Sequence, residues 1–598
     1  MAFPFATLRL LAMQFKRLLI LLCFSGCIFA VSAFLKHNIN AAASRENLLS
    51  SPRPPQVRFT DITTASGLTF VHVNGATGEK LLPETMGGGC AFLDFDGDGD
   101  QDVLLINSSF WTNRPPGNVP PPTMKLFEND GAGRFRDVTR GSGLDVSFYG
   151  MGVAVGDYDN DGLPDVFISA VGGNHLFHNE GAGHFKDVTA AAGMGSAGYQ
   201  WSTSCGWIDF NNDGLLDLFV CNYVKWSRDI DLAMNPGVEG KGRAYGPPFK
   251  FEGTYPLLYR NDGNGRFTEV SAGAGLRVND PRTGRPAAKS LGVAPIDLDD
   301  DGWIDLIVAN DTTPNLVFHN ERDGTFKEIG AASGLAYDGF GNVRGAMGID
   351  TAWFRDDASL GVAIANFANE MNGFYVAKPK SLQFTDEAPM ESIGPASRPL
   401  LKFGLFFFDY DLDGWPDLLT ANGHLDAQVG NTAKQQTYAQ PAQLFWNGGP
   451  HQSSAFTPVT VEHSGPDIFK PIVGRGAAYA DIDGDGDLDV LLTQIAGPPR
   501  LLRNDQHTGH RWLRIKLIGT QSNRDAIGAR VTLRGPSRIW QAQVMPTRSY
   551  LSQCELPVTF GFGTDRIPVE MEIRWPRGLV QKLNVPTDRH LLTVREPN

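Results

Sequence analysis

The stretch at 94–102, DFDGDGDQD, constrains this chain more than any other, because its pattern D-x-D-x-D-G-x-x-D returns five more times. The copies are 157–165 (DYDNDGLPD), 209–217 (DFNNDGLLD), 297–305 (DLDDDGWID), 409–417 (DYDLDGWPD) and 481–489 (DIDGDGDLD). Side chains at positions one, three and five point oxygens inward from a tight loop, and the glycine permits the bend. Residue seven offers a backbone carbonyl and the acid at nine closes the cage. Such a set of hard oxygen donors suits calcium. The expected ligands are Asp94, Asp96, Asp98, Asp100 and Asp102, then Asp157, Asp159, Asp161, Leu163 and Asp165, then Asp209, Asn211, Asp213, Leu215 and Asp217. The later loops offer Asp297, Asp299, Asp301, Trp303 and Asp305, then Asp409, Asp411, Asp413, Trp415 and Asp417, and finally Asp481, Asp483, Asp485, Asp487 and Asp489. An isolated copy would read as a solvated acidic turn. Six copies in register, each feeding an apolar strand, define a repeat.

The spacing resembles the first half of an EF-hand, but the closing acid comes at nine instead of twelve and apolar runs lie on both sides, so each loop is expected to turn a β-hairpin. Two further phrases recur: LFENDGAG (126–133) with FRDVTRGSGL (135–144), and their counterparts after each of the next three loops. Each unit thus holds four short apolar segments. Small residues crowd the first, as in GMGVAVGD (150–157), which an innermost strand near a central axis requires. Four antiparallel strands repeated in this way describe the blades of a β-propeller. The overlong gap between 305 and 409 holds AMGIDTAWFRDDASLGVAIANF (346–367), which aligns with the other units but has Trp353, Arg355 and Gly361 where acids are expected. It reads as a fifth blade with a decayed loop, seven blades in all. The phrase at Phe59 precedes the first loop and none follows LLRND (501–505), so the N-terminal strand is expected to complete the last blade and close the ring. The expectation is an all-β chain: a seven-bladed β-propeller over 57–505 followed by a small β-rich domain over 506–598. Strand direction puts the acid loops and the N-D-G-x-G turns on one face. The insertions at 107–123, 222–256, 276–290 and 422–442 fall on the other.

With 598 residues, a net charge of −14 and 20% charged residues, the chain is globular and acidic. The loops contribute about 23 Asp at liganding positions, and six divalent ions would bring the net charge to about −2. There is no basic stripe of the kind phosphate binding needs, which argues against nucleic acid. Arg9, Lys16 and Arg17 precede an apolar run from Leu18 to Leu35, the layout of a secretion signal or signal anchor over 1–35, with a Pro-rich linker over 36–56. Phe24-Ser25-Gly26-Cys27 approaches a lipobox that would lipidate Cys27; cleavage after Ala33 or Ala43, or retention as a short span, are the alternatives. All versions put the bulk of the chain in the periplasm or at the cell surface, with membrane contact only through this segment. Cys205 and Cys221 are equidistant from Asp213, so a symmetric hairpin would place them opposite each other, as a disulfide or as two small buried side chains.

The longest insertion offers Tyr223, Trp226, Tyr245, Phe249, Phe251 and Tyr255 among Lys225, Arg228, Asp229, Asp231, Lys241 and Arg243. Such a loop suits protein or sugar recognition, or packs onto the ring. The C-terminal region carries Arg511, Arg514, Lys516, Arg524 and Arg530, which read as a solvated strand face. The candidates for catalysis are His424 with Asp426, in ANGHLD, and Asp311, in VANDTTPN; neither forms an acid–base or nucleophile signature with a fixed partner.

The loops and small-residue strands resemble the FG-GAP (VCBS-type) repeats of integrin alpha-subunit propellers. With SNRDAIGARV (522–531), SYLSQ (549–553), FGFG (560–563) and WPRG (575–578), the chain from about Phe59 onward resembles the cartilage acidic protein family, whose bacterial members carry a C-terminal ASPIC/UnbV domain. The resemblance implies a calcium-bearing propeller acting as an extracellular binding or adhesion module. Two functions are therefore weighed. One is a non-enzymatic module with about six structural Ca2+ ions and an extracellular protein or glycan ligand. The other is a calcium-stabilised lyase or hydrolase of polysaccharide with its site on the insertion face.

Overall fold

The computed structural model describes residues 53–598, apart from 112–116, 196–199, 235, 239–241, 432, 453, 537, 569 and 587–588. The proposed signal or anchor and its Cys27 lie outside the described residues. Among the described residues seven antiparallel units of four strands make up the ring, here called I to VII; six are separate sheets, and unit I shares a six-stranded sheet with two short strands of the C-terminal segment. Unit II shows the plan: Gly150–Gly156, Asp165–Ala170, His175–Asn179 and Phe185–Asp187 pair in sequence order. The first strand is glycine-rich because it is fully buried beside its neighbours; a Cβ on Gly152 would lie 3.0 Å from the Thr203 carbonyl of unit III. First strands of successive units pack against one another from I through VII, and that of VII packs against that of I, so the units form a closed ring. Closure has a second component. Arg58–Asp61 pairs antiparallel with Arg500–Asp505 as the outer strand of unit VII, as the orphan phrase at Phe59 led one to expect.

The fifth repeat is present as a hairpin, Ala346–Trp353 against Leu360–Asn366, with the turn at 354–359 carrying no acid cage. In unit III the register corrects the cysteine expectation. Cys205 pairs with Val220, so Cys221 is one residue out of register. One-residue offsets put side chains on opposite faces of a strand pair. The two thiols accordingly lie in different inter-unit cores and are free.

Residues beyond the ring form two small sheets, one centred on Trp512–Ile518 and one on Arg530–Arg534, around a core that includes Leu513, Val531, Trp540 and Trp575. This module does more than follow the propeller. Its segment 547–553 runs into the axis of the ring, where SYLSQ touches the first strands of units I, II, III, V, VI and VII. Ser549 exchanges backbone hydrogen bonds with Ile349 (unit V), and its Oγ accepts the Leu405 N–H (VI) at 3.0 Å. The Leu551 N–H donates to Ser204 Oγ (III) at 2.9 Å, Gln553 bridges Ala91 (I), and its side chain exchanges two hydrogen bonds with Val155 (II). Tyr550, fully buried, reaches the far end and donates to the Met86 carbonyl at 2.9 Å. There it joins a core of Trp201, Tyr223, Trp226 and Phe251 that caps the insertion face.

Candidate functional site

Each acid loop is held by its own backbone before any ion is considered. The closing aspartates Asp102, Asp165, Asp217, Asp305, Asp417 and Asp489 are at most 1% exposed. In every one, Oδ2 accepts the N–H of loop position two (Phe95, Tyr158, Phe210, Leu298, Tyr410 or Ile482) at 3.0–3.3 Å. Oδ1 accepts the backbone N–H of an asparagine in the third strand (Asn129, Asn179, Asn261, Asn320, Asn447 or Asn504) at 2.7–2.8 Å. Position five is fixed from within: Oδ1 of Asp98, Asp161, Asp213, Asp301, Asp413 and Asp485 accepts the N–H of Asp100, Leu163, Leu215, Trp303, Trp415 and Asp487 respectively, at 2.8–2.9 Å. Asp157, Asp209 and Asp297 at position one each accept the N–H groups of positions five and six.

These loops gather oxygens that the protein does not satisfy. Asp94, Asp96 and Asp102 can each offer an oxygen within 4.8 Å of the others, as can Asp157, Asp159 and Asp161, the trio Asp297, Asp299 and Asp305, and the trio Asp409, Asp411 and Asp417. Asp94 Oδ1, Asp299 Oδ1, Asp409 Oδ1 and Asp483 Oδ1 are buried without any hydrogen-bond donor. A buried acceptor left unpaired costs about 1–3 kcal/mol, more when charged. Burial, with crowding by neighbouring carboxylates, pushes Asp102 and Asp157 up to about 8 and Asp209 up to about 7, and holds Asp409, Asp417 and Asp489 well above the usual carboxylate range. A hard divalent cation is the group such a donor set fits.

Sequence reading missed two contributors. His178 Nδ1 lies 2.9 Å from Asp165 Oδ1 and forms a third possible ligand with Asp159 and Asp165; His319 Nδ1 lies 3.0 Å from Asp305 Oδ1. Both occupy the same place in LFHN and VFHN, which was the signal available. It also missed the asparagines. Besides clamping the closing acid, each side-chain amide donates to the position-two carbonyl of the preceding unit: Asn179 to Phe95, Asn261 to Tyr158, Asn320 to Phe210, Asn447 to Phe354, Asn504 to Tyr410, and Asn129 across the closure to Ile482, at 2.8–3.0 Å. Among the described residues, the junction of IV with V alone goes without this bond, since the third strand of V reads GFYVA.

The basic residues of the C-terminal module overturn the solvated-face expectation. Lys516 Nζ lies 3.3 Å from Asp94 Oδ2, the Asp157 N–H donates to Asp525 at 2.7 Å, and Arg530 and Arg574 both engage Asp300. Arg538 donates to the Gly414 carbonyl, and Arg514, paired with Glu555, comes within 3.9 Å of Asp481. Opposite charge on the acid loops draws these cations inward; Arg511 alone of the five stays on the rim, bonded to the Thr564 and Asp565 carbonyls.

On the insertion face the catalytic candidates are occupied structurally. Asp311 accepts the Tyr223 hydroxyl, Asp426 pairs with Lys80 at 3.3 Å, and His424 Nδ1 accepts the Asp426 N–H at 3.2 Å. Burial and Arg475 push His424 down to about 4, so its ring is neutral. Of the insertion aromatics, Tyr223, Trp226 and Phe251 pack inward, while Phe249 stands 68% exposed.

The FG-GAP-like repeat family matches residues 94–168, 159–220, 297–352 and 409–492, and the ASPIC and UnbV family matches 519–598. The chain therefore carries FG-GAP-like repeats around its ring and an ASPIC and UnbV domain after it. It is homologous to cartilage acidic protein 1: 26% identical to the Homo sapiens protein over 301 residues, which covers 47% of this chain and 40% of that one, and 25% identical to the Xenopus tropicalis protein over 281 residues, covering 46% and 40%. The match thus spans well under half the length of these curated relatives. Among solved structures, an Agrocybe aegerita lectin that recognises non-reducing terminal N-acetylglucosamine aligns at 15% identity and TM-score 0.35, over 64% of this chain and 82% of its own. The Pseudomonas aeruginosa periplasmic gluconolactonase aligns at 12% and 0.36, over 70% and 87%.

Proposed function

We propose that the protein is an exported, calcium-stabilised binding module without catalytic activity, which meets an extracellular protein or glycan through its insertion face. The observation that carries the calcium reading is the set of buried, donorless carboxylate oxygens inside loops already shaped by backbone hydrogen bonds. When bound, calcium supplies the positive charge that lets these carboxylates stay ionised at close quarters. Asp94, Asp299, Asp409 and Asp483 would hold it with their loop partners. The backbone N–H groups around each closing aspartate orient the cage, and His178 and His319 brace two of them.

The cages are enclosed by their own loops and by the C-terminal module, which leaves the insertion face for partners. Among the described residues no helix is long and apolar enough to cross a membrane, and the expected export segment precedes them. The non-catalytic reading is favoured because His424, Asp426 and Asp311 are each tied to a structural partner. The test is binding of the full chain to arrays of extracellular proteins and glycans, comparing wild type with Phe249→Ala. Saturable binding that weakens in the variant, with no glycan cleaved, is expected. Cleavage of a polysaccharide that is abolished in His424→Gln would replace this reading with the enzymatic one.

A further inference from the structure

A cavity of about 130 Å3 lies between units IV to VII of the propeller and the C-terminal module. Water by the same measure needs roughly 10–15 Å3, so the space is much larger than a structural water requires. Its wall contains Gln543, 5% exposed, whose Nε2 and Oε1 both lack any protein partner. Turning the amide over changes nothing, because both ends are unpaired. Arg548 also lines the space. Its Nη1 is engaged by Asp350 Oδ1 at 2.6 Å and by the Thr351 carbonyl, while Nε and Nη2 have no acceptor among the described residues. The Tyr479 hydroxyl, on the same wall, makes no hydrogen bond among the described residues. Phe407 and Phe560 supply apolar surface beside these polar groups.

The charges here cancel. Arg548 pairs with Asp350 and Arg355 with Glu387, while Arg538, which donates to the Gly414 carbonyl and whose Nε has no partner among the described residues, is offset by the nearby Asp409 of the acid loop at 409–417 on the same wall. Beyond this balanced set, the wall offers the unpaired Trp540 Nε1 as a donor, the Gln543 amide as donor and acceptor, and aromatic surface. The cavity also has an entrance. Five of the six acid loops are bonded to the module; the third loop and the fifth turn at 354–359 have no hydrogen bond or ion pair to it among the described residues, and of these two the fifth turn lines the cavity. There Arg355 turns away to Glu387 at 2.6 Å and Glu391 at 3.3 Å, and Ala358 and the 42% exposed Ile539 line the cavity from either side. The repeat that departs from the acid pattern is the repeat that leaves a doorway.

We infer that this cavity is a binding site for a small uncharged polyhydroxyl compound, no larger than a monosaccharide, entered past the fifth turn and held by Gln543, Arg548 and Tyr479. The site is separate from the insertion face and needs no calcium ligand. The test uses the calcium-loaded full chain and four probes: glycerol, myo-inositol, D-glucose and, as an anionic comparison, acetate, with binding followed by ligand-observed NMR titration. At least one neutral probe is expected to saturate. Its affinity should fall at least tenfold in Gln543→Leu and in Tyr479→Phe, with both variants melting near the wild type. If Gln543→Leu fails to fold, Tyr479→Phe decides alone. Absence of saturation by every neutral probe, preference for acetate, or unchanged affinity in Tyr479→Phe would each overturn the inference.

Discussion

The residue that carries most per atom is the third-strand asparagine. Asn261 uses its backbone N–H on Asp217, its Nδ2 on the Tyr158 and Leu216 carbonyls, and its Oδ1 on the Gly263 N–H, all while 2% exposed. Asn261→Leu keeps the volume and strips the amide, leaving buried carbonyls unpaired. The expected cost is about 2–4 kcal/mol in urea unfolding at saturating calcium. A loss below about 0.5 kcal/mol would mean that the inter-unit bond contributes little. His72 gives a pH dependence. It is 1% exposed, its Nδ1 accepts the Ala496 N–H at 3.4 Å, and burial with the nearby Arg475 pushes it down to about 3. A folded-state value below the unfolded one means the unfolded chain takes up the proton first, so stability is lost as pH falls below about 6.5. Between pH 7 and pH 5 His72 should account for about 2 kcal/mol of that loss, and His72→Gln should shrink the difference by about this amount. The aspartates were legible because spacing alone places them. Asn261 and His178 also recur at fixed places in their phrase, but a polar residue at a strand end reads first as turn chemistry, and only the pairing of the second and third strands brings it to the closing aspartate.

At the scale of elements, hairpins and their order could be read directly: each loop marks where one strand ends and the next begins. The register inside a hairpin could not, because Ile208 pairs with Asp217, which centres the hairpin half a residue away from Asp213 and leaves Cys205 opposite Val220. Nor could the axial segment, since SYLSQ meets strands hundreds of residues away only after the ring has formed. Its Tyr550 is the element's anchor, in contact with Phe403 at 5.1 Å between ring centroids and with the insertion-face core. Tyr550→Ala removes that packing and leaves the Met86 carbonyl without its donor, with an expected loss of about 3–5 kcal/mol. Limited proteolysis of this variant should release the C-terminal module sooner than in the wild type. Equal protection in both proteins would show that the module is held by its contacts with the acid loops alone.

At the scale of the whole molecule, a closed ring, an axial plug and six charged cages act on one another. Cations of the module rest on five of the loops, so the loops hold the propeller hairpins on one side and the module on the other. An ion that binds only the folded state stabilises it by about 2.7 kcal/mol at a hundred times its Kd, and several such sites add up to a large share of the stability of any domain. The net charge of −14 is the sequence's trace of this arrangement. The number of loops could be read from it, but not the way the C-terminal module covers them, which depends on where the chain returns after closing the ring. The most direct test is the melting temperature of the full chain with millimolar calcium and with excess chelator, alongside elemental analysis of bound metal. About six calcium ions per chain, none of them due to the turn at 354–359, and a fall of more than about 10 °C on chelation are expected. Fewer than three ions, or an unchanged melting temperature, would contradict the account and return the acid loops to solvated turns.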